Sequence, residues 1–173
     1  MESSTFSIRK SFLLPLGLIV LLSFILLASA LFLQLPTAKI IILAAFLVPA
    51  CIICAESYRR KVKINDDAIE VNKLFRSKRL AYNELTAVDA IQVRKRAFVS
   101  LSSENNFMII SNSYAQFGSL LQQLIARAPE NVVSDEIRQL AENPPPKCSD
   151  VFSAWLAVAV LALIIFVQLR GAF

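Results

Sequence analysis

Two cysteines three residues apart, Cys51 and Cys54, are the first candidates for chemistry in this chain. A C-x-x-C pair carries redox or metal chemistry when its thiolates are accessible and polar or cationic neighbours lower the thiol pKa. This pair lies inside an apolar block, residues 38–55, which supplies the opposite surroundings. Small side chains that let helices approach closely are the expected role. Cys148 stands at the edge of another apolar block, where it could be acylated. Such a set is no disulfide framework. Glu84 and Asp89 are the only candidates for an acid–base pair. No nucleophile, metal or phosphate loop accompanies them, so Glu84 is expected to cap a strand corner or pair with an arginine. The chain has no histidine, the commonest general base and metal ligand. These residues imply no catalytic constellation, no cofactor and no metal.

The remaining chemistry is charge. Residues 59–96 hold eleven Lys and Arg against five acids, a balance of +6, whereas the net charge of the whole chain is +5. The bases fall in three clusters: Arg59, Arg60, Lys61 and Lys63; Lys73, Arg76, Lys78 and Arg79; and Arg94, Lys95 and Arg96. Each Lys or Arg near an anionic membrane contributes about 1 kcal/mol, so several together could hold a domain on a lipid surface. The plainer alternative is a topology signal plus solvated loops, and contact with an acidic protein is a further one. Nucleic acid is not expected, because no aromatic stacking platform interleaves with the bases.

Three apolar blocks position these clusters: residues 12–33, 38–55 and 151–169. They explain a mean hydropathy of +0.59. A run of 22 residues at 1.5 Å each reaches roughly 33 Å, enough for a hydrocarbon core of about 30 Å. The first two blocks form a hairpin around Gln34-Leu35-Pro36-Thr37. A signal peptide ending at Ala28-Ser29-Ala30 is the rival reading, but the apolar run continues past that site. Ser23, Ala28, Ser29 and Ala30 make a small-residue strip suited to packing within the hairpin or against a partner subunit. Arg9, Lys10 and the cluster at 59–63 flank the hairpin on one side, which predicts a cytoplasmic N-terminus and domain and an outside C-terminus.

Residues 1–10 read as a short polar tail. Residues 58–130 carry the patterning of a soluble domain. Alternation predicts strands at 62–64 and 69–71, with Leu74-Phe75 closing the second; a turn at 76–78 follows, then strands at 79–82 and at 86–93, where the alternation is imperfect, and a hairpin of 98–101 with 107–110. Asn83-Glu84-Leu85 is a corner, and residues 94–96 an exposed loop. Phe117, Leu120, Leu121, Leu124 and Ile125 recur with the period of an amphipathic helix. Ser113 and Gln116 predict a capping box for it. Residues 131–150 read as a short helix, N-capped by Ser134, and a proline-rich spacer.

The stretches 58–71, 80–88 with the corner Asn83-Glu84-Leu85, and 98–111 leading into 114–125 resemble the bacterial PH-like domain membrane proteins. The resemblance implies a small, strongly bent antiparallel sheet closed by a helix, placed after a transmembrane hairpin. It also implies binding or scaffolding rather than catalysis. The expected class is therefore an α+β membrane protein of the bacterial inner membrane, with three transmembrane helices, two N-terminal and one C-terminal, around a PH-like domain. Its expected role is adaptor, scaffold or accessory subunit among other membrane protein subunits. The alternative is a sensor of anionic lipid headgroups.

Overall fold

The computed structural model describes residues 4–104, 106–145 and 150–170, and Cys148 lies outside them. Two sets of segments cluster into compact units: Met1–Arg9 with Arg59–Cys148, and Lys10–Tyr58 with Ser149–Phe173.

The second unit contains three long helices, α1 (Lys10–Phe32), α2 (Thr37–Arg59) and α5 (Asp150–Arg170, numbered after two helices of the other unit). All three are long and apolar enough to cross a membrane, with mean hydropathies of 2.6, 2.5 and 2.5. α1 packs along α5. Gln168 near the end of α5 donates to Ser29 Oγ near the end of α1 at 2.9 Å, so the two helices run parallel. Within the small-residue strip Ala30 is fully buried and Ser29 bonds α5, so this part of the strip serves the third helix of the same chain. α2 meets α1 at the other end, where Tyr58 Oη donates to the Leu13 carbonyl at 3.4 Å. A Cβ on Gly17 would lie 3.3 Å from that hydroxyl, so glycine admits the ring there.

The first unit is α+β. One antiparallel sheet takes the order β1 (Ser4–Ser7), β2 (Lys61–Ile64), β3 (Ala68–Asn72), β4 (Ser77–Ala81). The expected polar tail is thus a strand. Thr5-Phe6-Ser7-Ile8 alternates, and Phe6 and Ile8 are each only 5% exposed. Its partner β2 lies beyond both α1 and α2 in the chain, so no local pattern announces the pairing. Leu74-Phe75 does not extend β3. The tight turn occupies 73–76, closed by Lys73 N–H donating to the Arg76 carbonyl at 2.8 Å, and Ser77 and Lys78 already belong to β4.

Tyr82–Glu84 forms a 3-10 corner into the second antiparallel sheet, β5 (Leu85–Val93), β6 (Arg96–Ser103), β7 (Phe107–Ser111). Arg96 opens β6, leaving a two-residue turn at 94–95. Arg94 takes φ 56°, the positive φ that such turns usually give to glycine.

Helix α3 (Phe117–Ile125) buries Phe117, Leu120, Leu121 and Leu124, as its period predicts. The expected capping box does not form. Gln116 is the N-cap with φ 52°, and the Ser113 hydroxyl accepts from Ser111 Oγ at 3.2 Å instead. α4 (Asp135–Glu142) follows Ser134, whose hydroxyl makes no cap bond. α4 buries Ile137, Leu140 and Ala141 and packs beside α3 and β5, so it is part of this unit rather than a tether. A Cβ on Gly118 would come within 3.3 Å of Pro144 Cγ, which places the start of the proline run against α3 rather than in a free spacer.

Candidate interaction surfaces

Tyr114 gathers the residues just before α1 and just after α2. Its ring is fully buried and its hydroxyl accepts from Arg60 Nε at 3.1 Å. The Arg60 guanidinium also lies 5.9 Å from the ring centroid. The Tyr114 carbonyl accepts from Arg9 Nε at 3.2 Å, and Ile8 bridges to Tyr114 through the backbone. Arg60 thus contacts this side chain and Arg9 the backbone of the same residue, where sequence placed both only in flanking basic runs.

The register of the four-stranded sheet then aligns Ser7, Lys61, Asn72 and Ser77 in one row. Lys10, which opens α1, follows Ser7 by three residues, and Arg59, which ends α2, precedes Lys61 by two. The β3–β4 turn therefore lies at the same end of the sheet as Ser7 and Lys61, beside the connections to α1 and α2. Phe75 at that turn is 84% exposed. Lys73, Arg76 and Lys78 surround it in sequence and are also exposed. Lys78 Nζ donates to the Phe107 carbonyl at 3.0 Å, tying β4 to the start of β7. Arg79 is engaged differently, 2.6 Å from Asp67 and 3.8 Å from Glu70, its cross-strand partner. These are exposed pairs, each contributing about 0–1 kcal/mol.

Arg94, Lys95 and Arg96 lie elsewhere. Lys78 meets Phe107, the register partner of Ser102, whereas the 94–95 turn lies beyond Arg96 at the opposite end of β6. Six residues at roughly 3.3 Å each separate the two places by about 20 Å. The two basic clusters do not form one site. Lys61 and Lys63 point outward from β2, between buried Val62 and Ile64.

The outer face of the three-stranded sheet carries an apolar patch beside Asp89, Arg96, Ser100, Ser102 and Ser111. Ile91 pairs Phe98, and Phe98 pairs Ser111; Ser100, on the same face, pairs Ile109. Exposure is 61% for Ile91, 58% for Val93, 36% for Phe98, 51% for Phe107 and 47% for Ile109. Contiguous exposed apolar side chains of this size mark interaction sites, whereas isolated ones are ordinary. The 94–95 turn borders this face at one end.

Compared with known proteins, the chain matches no family model, no curated protein and no solved structure.

Glu84 sits exposed in the 3-10 corner and Asp89 exposed on β5. Cys51 and Cys54 are free thiols inside α2. Between the sheets, Tyr82 is buried and its phenol is pushed up to about 12, mainly by desolvation; Arg127 opposes the shift, and Asp67 and Asp66 add to it. Sequence reasoning missed the apolar outer face. Its signal was present in the absence of polar alternates at 91, 93, 98, 107 and 109.

Proposed function

We propose that this chain is a non-enzymatic integral membrane protein whose cytoplasmic, PH-like domain acts as an adaptor or accessory subunit of a larger membrane complex. The observation that carries this reading is the exposed apolar face of β5–β7, a surface of the kind protein partners cover. Its partner is the cytoplasmic part of another membrane subunit, apolar at its centre and acidic where it meets Arg94 and Lys95. The PH-like reading is supported by the strand order, four antiparallel strands then three, followed directly by an amphipathic helix. Arg9, Lys10 and the bases at 59–63 support the cytoplasmic placement, and three long apolar helices support insertion in an inner membrane.

The test is purification of the tagged full chain in mild detergent, with native mass spectrometry of what co-migrates. A stoichiometric membrane partner is expected, and it should be lost from an Ile91→Asp, Phe98→Asp variant that keeps its thermal transition. A chain that migrates alone, or a partner retained by the double variant, would overturn the assignment.

A second reading, contact with anionic lipid headgroups, is favoured by a separate observation: the aromatic side chain exposed among bases at the β3–β4 turn.

A further inference from the structure

A turn that carries three cations and no acid is an ordinary solvated feature. The β3–β4 turn differs in holding Leu74 and Phe75 between its bases, with Phe75 84% exposed. Among the described residues nothing covers the ring. The turn is also stiff. Asn72 and Ser77 are register partners, and Lys73 N–H donates to the Arg76 carbonyl at 2.8 Å. Little ordering is needed to present the ring, so less of any binding energy is lost on contact. The tip lies at the end of the sheet that holds Ser7 and Lys61, beside the connections to α1 and α2.

We propose that this turn is a membrane-inserting wedge. Phe75 enters the interfacial layer of the bilayer crossed by the chain's own helices, while Lys73, Arg76 and Lys78 hold anionic headgroups around it. The inference rests on the membrane-spanning and lipid-contacting reading above and gives it a site. Aromatic rings favour the headgroup depth, and basic residues beside them add attraction to anionic lipid. The cavity beside the turn, between Lys78 and Phe107, holds only about 170 Å³. Ligand pockets start near ~300 Å³, so the geometry favours insertion of a protein side chain into lipid over capture of a headgroup in a pocket. Arg79 takes no part, being held by Asp67 and Glu70.

The experiment uses the full chain reconstituted in vesicles. Trp155 is the single tryptophan, so a Trp155→Phe background accepts a new reporter by Phe75→Trp, and by Leu21→Trp in α1 as a control. Quenching by brominated lipid is measured in phosphatidylcholine alone and with phosphatidylglycerol added. Tryptophan at 75 should be quenched, more strongly with the anionic lipid. Lys73→Glu with Arg76→Glu should reduce its inserted population about tenfold or more, from roughly 1 kcal/mol per base. Quenching at 21 without quenching at 75 would overturn the wedge alone. Loss of quenching at 21 as well would overturn the membrane-spanning reading beneath it. Equal quenching at 75 in both lipids, unchanged by charge reversal, would remove the cationic collar from the proposal.

Discussion

Across the outer face of the four-stranded sheet one register row reads Thr5, Lys63, Glu70 and Arg79, while across the three-stranded sheet a row reads Ile91, Phe98 and Ser111. Both sheets turn their alternate residues into the same unit. Val62, Ile64, Ile69, Val71 and Leu80 are buried from the first, and Val88, Val99, Leu101 and Ile110 from the second. The fold needs only those inward halves. An antiparallel sheet can leave its other face to water, and then polar residues belong there. The four-stranded sheet follows that rule and confines its apolar exposure to one turn. The three-stranded sheet departs from it at Ile91, Val93, Phe98, Phe107 and Ile109, which share their face with Asp89, Arg96 and three serines.

The strongest way to break this comparison is at β1, which exists only in the four-stranded sheet. Phe6→Ala removes a buried ring and should cost about 3–5 kcal/mol, read from chemical unfolding, with amide exchange rising first in β2 and β3. An unchanged transition would remove β1 from the core. The two outer faces should next respond unequally. Phe98→Ala should weaken the proposed partner about tenfold, at 1–2 kcal/mol, in a titration with the purified partner. Lys63→Ala should change it less than twofold, and equal losses would erase the distinction.

Tyr82, at the corner joining the sheets, gives a pH test. Below pH about 10 its phenol is protonated in both folded and unfolded chains. Between there and about 12 the unfolded chain ionises and the buried phenol does not, so stability should fall as pH rises through this window. Tyr82→Phe should flatten that decline in an alkaline melt series. Arg94→Gly relieves a positive φ but frees the unfolded chain, and a net gain of about 0.5–1 kcal/mol in thermal unfolding is expected. Last, Arg79→Ala should cost no more than about 1 kcal/mol, because its ion pairs are exposed and screened by salt.

Much of the first unit was legible locally. Residues 62–64 and 69–71 alternate, 86–93 do so imperfectly, 98–101 and 107–110 are short strand-like runs, and all fall within β2, β3, β5, β6 and β7. The face of α3 followed from its period. Local patterns failed where neighbours in space decide. Leu74 and Phe75 read as the close of β3, yet both belong to the turn at 73–76. Ser113 and Gln116 spell a capping box, yet Gln116 takes a left-handed φ because residues 113–115 are held by Ser7, Ile8 and Arg9. The basic clusters were readable as charge but not as sites, since strand register separates Lys78 from Arg94 by most of the length of β6.

By itself the sequence determined the three apolar helices, since some twenty consecutive apolar residues satisfy their backbone only within one segment and need no partner to be recognised. It also determined the inward half of each strand, which repeats every second residue. Only the tertiary structure decided that Ser4–Ser7 pairs with a strand beyond two long helices and that Tyr114 holds both Arg9 and Arg60. The same is true of the β3–β4 turn, which shares their end of the sheet. Such pairings join residues far apart in the chain, and their free energy comes from burying side chains such as Phe6, Ile8 and Tyr114 together, which no window of neighbouring residues contains.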